Sequence, residues 1–197
     1  MSRGVCRSGV LLLALLGPAG ALPDTPVGPA ADAPATSAAH RYFTDTELID
    51  QDGRPQRLYR DLIQGRTVVV NTFFTTCTGI CPPLSRRMEQ IRERLGERVG
   101  KDVYLISISV DPERDSPPRL KEYARRYKAT PGWFFLTGRK ENVDFALRKL
   151  GQRVAAPEDH SSVLIIGNDR TELWKKAQGL AQEEDVLQVV ESVANDR

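Results

Sequence analysis

Residues 67–88, T-V-V-V-N-T-F-F-T-T-C-T-G-I-C-P-P-L-S-R-R-M, constrain this chain more than any other stretch. Thr67 to Phe74 is a β-branched and aromatic run, which reads as a buried strand. Pro82 and Pro83, followed by an apolar stripe at Leu84, Met88, Ile91 and Leu95, read as a helix with proline in its first turn. Cys77 and Cys81 fall in the turn between the two. A helix N-terminus favours the thiolate through its dipole and its free N–H groups. The thiolate is both nucleophile and metal ligand, so the stretch alone leaves redox and metal chemistry open.

The chain has 197 residues, 40% hydrophobic and 27% charged, enough for one domain with a sizeable core. Residues 1–21 read as a secretory signal: Arg3 and Arg7, then the apolar run Val10 to Leu16, then Ala19-Gly20-Ala21. The run is short for a membrane span, which leaves an uncleaved anchor as the lesser reading. Cys6 precedes the apolar run and is expected to leave with the signal. Removal of the signal takes Lys+Arg from 28 to 26, against 26 Asp+Glu. The mature chain is then neutral, and its charge gives no reason to expect nucleic acid. Outside the cytosol a cysteine pair can persist as a disulfide. Residues 22–40 read as a flexible linker: Leu22 to Ala39 holds four Pro, six Ala and no aromatic residue.

The folded domain is expected over residues 41–197. Tyr42 to Ile49 reads as a strand, Asp52-Gly53 as a hairpin turn and Gln56 to Leu58 as the return strand. Val103 to Val110 is a second buried strand, parallel to the first by the usual handedness of a strand–helix–strand unit. Asp111 to Pro118 reads as a loop and helix start, with Asp115 or Ser116 as cap. A helix to about Tyr127, a short strand at Trp133 to Leu136 and a helix over Glu141 to Leu150 follow. The chain closes with strands at Ser162–Ile166 and Glu172–Lys176 and a helix over Gln182–Val193. The order is that of an α/β thioredoxin-like fold with an N-terminal β-hairpin and an inserted helical segment.

In that layout the segment entering the third strand of the fold faces the cysteine loop. Ordinary thiol oxidoreductases place a cis-proline there; this chain has Asp159-His160-Ser161. Cys77, Cys81 and His160 can then converge on a metal ion, with Asp159 or another carboxylate orienting the ring. His40 and Met88 read as non-ligands, Met88 as core. Arg86, Arg87, Arg92, Arg94, Arg119, Arg125 and Arg126 read as solvated helix faces rather than a docking patch.

Four ordered segments carry a family resemblance: F-F-T-T-C-T-G-I-C-P at 73–82, D-P-E-R-D-S-P at 111–117, W-F-F-L-T-G at 133–138 and D-H-S at 159–161. Through them the chain resembles the Sco/SenC family of thioredoxin-fold copper proteins. The resemblance implies copper, Cu(I) or Cu(II), held by Cys77, Cys81 and His160. It implies a chaperone that delivers copper to the dinuclear site of cytochrome c oxidase subunit II, or prepares its thiols. A thiol reductant protein is a possible second partner, and the signal-like residues 1–21 lead to the expectation of an exported protein, periplasmic or at the outer face of the inner membrane. Membrane contact then comes only through an uncleaved signal or a membrane-bound partner. The alternative is an extracytoplasmic thiol–disulfide oxidoreductase in which Cys77 attacks and Cys81 resolves. No peroxidatic cysteine motif with an activating arginine is present.

Overall fold

The computed structural model describes residues 37–197; the expected signal and all but the end of the expected linker lie outside them. Strand β3 (Thr67–Phe73) is the centre of the molecule, buried along its whole length. It pairs in parallel with β4 (Val103–Ser109), which pairs in parallel with β5 (Trp133–Leu136). On its other edge β3 meets β6 (Val163–Asn168) antiparallel, and β6 meets β7 (Leu173–Gln178) antiparallel. The sheet order is β5-β4-β3-β6-β7. Helices α2 (Cys81–Leu95) and α3 (Pro117–Arg126) link the parallel neighbours β3–β4 and β4–β5, α4 (Lys140–Lys149) crosses from the edge strand β5 back to β6, and α5 (Glu183–Ala194) closes the chain. This is the thioredoxin-like α/β arrangement expected from the order of patterns.

Alternation along the strands divides the core into two layers. Val69, Phe73, Leu105, Phe135, Leu164 and Ile166 face α2, α3 and α5. Val68, Val70, Ile106, Ile108 and Ile165 face α4 and the N-terminal elements. Met88 and Ile91 of α2 are fully buried in the first layer, as the apolar stripe requires. Two polar residues on the central strands are paired rather than exposed. Ser107 Oγ donates to Asn71 Oδ1 at 2.6 Å, and Trp133 Nε1 donates to Ser107 Oγ at 3.0 Å. That chain crosses β3, β4 and β5 and leaves none of its three side chains unpaired.

The N-terminal part differs from the pattern reading. Residues 38–43, expected as linker and the start of a strand, form a short helix, α1 (Ala38–Phe43). Ser37 caps it, its hydroxyl accepting the His40 N–H at 3.0 Å. Phe43 packs on Trp174 of β7, and His40 stacks on Tyr59 at 4.8 Å. Only Glu47–Ile49 (β1) and Pro55–Arg57 (β2) make the hairpin. After it, Leu58–Ile63 forms a π-helical turn that buries Leu58, Tyr59, Leu62 and Ile63 against the second layer. Tertiary contacts with Trp174 and Tyr59 override the weak strand propensity of this segment.

Replacing Met88 by Ala empties a fully buried position on α2. We expect it to cost about 2–5 kcal/mol, read from the urea midpoint, without altering the reactivity of the cysteines.

Candidate metal centre

The site forms where β3 ends. Cys77 N–H donates to Phe74 O at 3.2 Å, turning the chain out of the sheet. Ile80 precedes the helix without a side-chain cap, and Cys81 is the first helical residue. Pro82 and Pro83 have no N–H, and Leu84 N–H already bonds Ile80 O at 3.1 Å. Cys81 N–H is therefore the one donor left in the first turn, and it points at Cys77 Sγ at 3.4 Å. The general supply of free helix donors suggested by the sequence is reduced by the prolines to a single directed contact.

The register of the sheet brings in His160. Val70 faces Ile165 and Thr67 faces Asn168 across β3 and β6. Beyond the last pair of that ladder the chain of β6 leads back to a 3-10 turn at Pro157–Asp159, with the His160 N–H on Pro157 O at 3.2 Å, and the histidine lies beside the cysteine turn. Ring atom Nε2 stands 3.2 Å from Cys81 Sγ and 3.8 Å from Cys77 Sγ. All three donor atoms lie within 4.8 Å of one another. An ion bound about 2.2 Å from each of three donors holds them roughly 3.8 Å apart, taking zinc–ligand lengths as the scale. The arrangement fits one ion with little movement. Two sulfurs and an imidazole form a soft donor set, suited to copper or zinc. Among the described residues this is the one group of three such side chains so placed.

The two thiols are free and unequal. Cys77 is half-buried at the mouth, in an open depression with Thr78, Ile80 and Glu158 on its rim. Cys81 is fully buried; burial first, and then its contact with Cys77, push its thiol well above the usual range. His160 is only 5% exposed, and burial lowers its pKa below 6.5, against a smaller upward effect of the Ser161 backbone. The ring is therefore held neutral, the form that binds a metal.

Two expectations about neighbouring residues need correction. Asp159 is exposed and does not orient the ring; His160 Nδ1 is buried without a hydrogen-bond partner. An edge-on contact with Phe74, centroids 5.5 Å apart at 82°, holds the ring in its place. Asp115 does not cap α3. It is 1% exposed and bonds Thr75 and Ser109, while Ser116 takes the cap position. The pattern allowed either residue as cap, and the presence of Ser116 freed Asp115 for the cysteine loop. Met88 is core, and His40 pairs with Asp45 at 3.1 Å, so neither joins the site. Arg94 and Arg126 are engaged by glutamates, and Arg86, Arg119 and Arg125 are solvated, as expected of helix faces.

A thioredoxin-like protein with a Cys–Cys–His cluster at the end of its central strand is the class that this geometry defines. The SCO1/SenC family matches residues 34–195, and the chain belongs to it. The SCO1 protein homolog of Bacillus subtilis is 36% identical over 118 residues, 58% of this chain and 60% of that protein. The chain thus spans about three fifths or less of the first curated relatives it matches. BsSco, described as a member of the Sco family of cytochrome c oxidase assembly proteins, superposes with a TM-score of 0.62 at 30% identity. That match covers 77% of this chain and 92% of BsSco. Yeast Sco1 with copper bound has a TM-score of 0.62 at 24% identity, over 77% of this chain and 92% of that one, a likeness of fold.

Two outcomes are expected. In the metal-free protein an alkylating reagent modifies Cys77 at least about tenfold faster than Cys81, read by peptide mass mapping. His160 also couples folding to pH. Its pKa is lowered in the folded state, so the unfolded chain takes up the proton first. Its contribution to stability is present above about pH 6.5 and is lost as pH falls from there through the folded pKa. Between about pH 7.5 and 5.5 the metal-free wild type should lose more stability than His160→Gln, measured by urea unfolding.

Proposed function

We propose that this protein is a copper chaperone that binds one copper ion through Cys77, Cys81 and His160 and passes it to an accepting protein. The observation that carries this reading is the meeting of two sulfurs and one neutral imidazole nitrogen within 4.8 Å, beside an open depression. Thiolate and imidazole together suit copper. A curated relative from Stutzerimonas stutzeri, 32% identical over 111 residues, is named for a conjectured copper binding. The family context makes the dinuclear copper site of cytochrome c oxidase subunit II the proposed destination, since BsSco is described with the assembly proteins of that oxidase.

Copper is cargo here, and the chain's part is to hold it loosely enough to release. The three donors approach from the protein side, and the depression over Cys77 leaves the other side open to an acceptor's ligands. Those ligands can enter before the protein's own leave. Loading requires both thiols to give up their protons, so binding tightens as pH rises. Joining the two sulfurs in a disulfide would remove two donors at once, which makes redox state a gate.

The N-terminal residues support export, by their basic start, short apolar run and small-residue site, and we place the working domain at the outer face of the inner membrane. Among the described residues no helix is long and apolar enough to cross a membrane. A neighbour at 27% identity is described as a SCO1/SenC family lipoprotein from Bacillus anthracis, which accords with an exported domain near a membrane.

The unequal exposure of the thiols favours one other reading, a thiol–disulfide oxidoreductase with Cys77 as attacker and Cys81 as resolver. Copper titration of the reduced protein separates the two. A chaperone takes one ion per chain, loses it in Cys77→Ser and Cys81→Ser, and weakens by about tenfold or more in His160→Ala. A reductase keeps most of its thiol exchange rate in His160→Ala. Absence of stoichiometric copper binding by the wild type would leave the reductase reading in place.

A further inference from the structure

The loop between β4 and α3 carries a carboxylate with an unusual setting. Asp115 is 1% exposed, yet it is in no ion pair among the described residues, and the nearby Asp111 carboxylate adds to the upward push on its pKa. Both oxygens are turned to the end of β3. Thr75 N–H is shared between Oδ1 at 3.2 Å and Oδ2 at 3.1 Å, and the Thr75 hydroxyl donates to Oδ1. The Ser109 hydroxyl donates to Oδ2 at 2.6 Å and itself accepts the Asp111 N–H at 3.0 Å. One side chain thus ties the end of β3 to the end of β4.

A buried carboxylate without a cation is a costly group, and its hydrogen bonds must compensate for lost solvation. Burial raises its pKa, against the lowering effect of these donors. An asparagine presents one acceptor oxygen where the carboxylate presents two. Thr75 stands two positions before Cys77. Immediately after it, Cys77 N–H bonds Phe74 O and the cysteine turn begins.

We propose that Asp115 is a positioning residue for the donor loop: by clamping Thr75 to Ser109 it fixes where β3 stops, and so keeps Cys77 and Cys81 facing His160. The clamp is independent of any ion, while its consequence for copper rests on the chaperone reading above.

The test uses Asp115→Asn, Thr75→Val and Thr75→Ser, with Leu147→Ala on the far face of the sheet as a stability control. Copper affinity of the reduced protein is measured by chelator competition, and alkylation rates of both thiols are measured without metal. Asp115→Asn and Thr75→Val should each weaken copper binding about tenfold or more and speed the alkylation of Cys81. Thr75→Ser, which keeps the hydroxyl, should behave as wild type. The double variant should bind no worse than Asp115→Asn alone, because both changes break one clamp. Leu147→Ala should lower the melting temperature and move neither readout. Wild-type affinity and thiol rates in Asp115→Asn and Thr75→Val overturn the proposal, as does an equal loss of copper in Leu147→Ala. If Asp115→Asn does not fold, Thr75→Val decides. If the wild type takes no copper, the chaperone reading fails by itself and the thiol rates still judge the clamp.

Discussion

Strand β3 is hydrogen-bonded on both edges and buried on both faces, and the rest of the molecule is arranged to keep it so. Apolar burial on this scale is the main stabilising contribution to folding, at roughly 25 cal/mol for each Å² removed from water. Its consequence is positional. A strand enclosed on four sides cannot slip, since one residue of slip would turn every side chain to the wrong layer. The residues that follow Phe73 therefore begin from a fixed point. The cysteine turn inherits its precision from the core rather than from contacts of its own.

His160 is fixed by the same strand from the opposite direction. It is distant from the cysteines in sequence, and what connects them is the antiparallel ladder between β3 and β6. The ring then sits in an apolar slot with Phe74 across its edge and Nδ1 unsatisfied. Many metal-binding histidines are steered by a carboxylate or carbonyl on the far nitrogen. Here packing substitutes for that partner.

Much of this was legible in the residues. The strand–helix–strand unit around Thr67–Leu95 announced itself because its periodicities are long and end in prolines. Cys77, Cys81 and His160 could be picked out because thiols and imidazoles are so few in the chain. The helix at Ala38–Phe43 was not legible, since what makes it fold is Trp174, more than a hundred residues away. Which of Asp115 and Ser116 caps α3 was not legible, for a related reason. The local pattern of Asp115 is that of a helix cap, and only the three-dimensional approach of Thr75 reveals its other occupation. The orienting role given to Asp159 failed because adjacency in sequence says little about direction: its neighbour points inward and it points out.

Ser37, where the described chain begins, bonds Tyr59, and Tyr59 in turn reaches Asp169. Asp169 follows β6 at the end of the sheet where β3 starts, so the polypeptide enters the domain about 20 Å, the length of β3, from the end that carries the cysteines. The end of the sheet at which the described chain begins and the end that carries Cys77 and Cys81 are therefore opposite ends of β3.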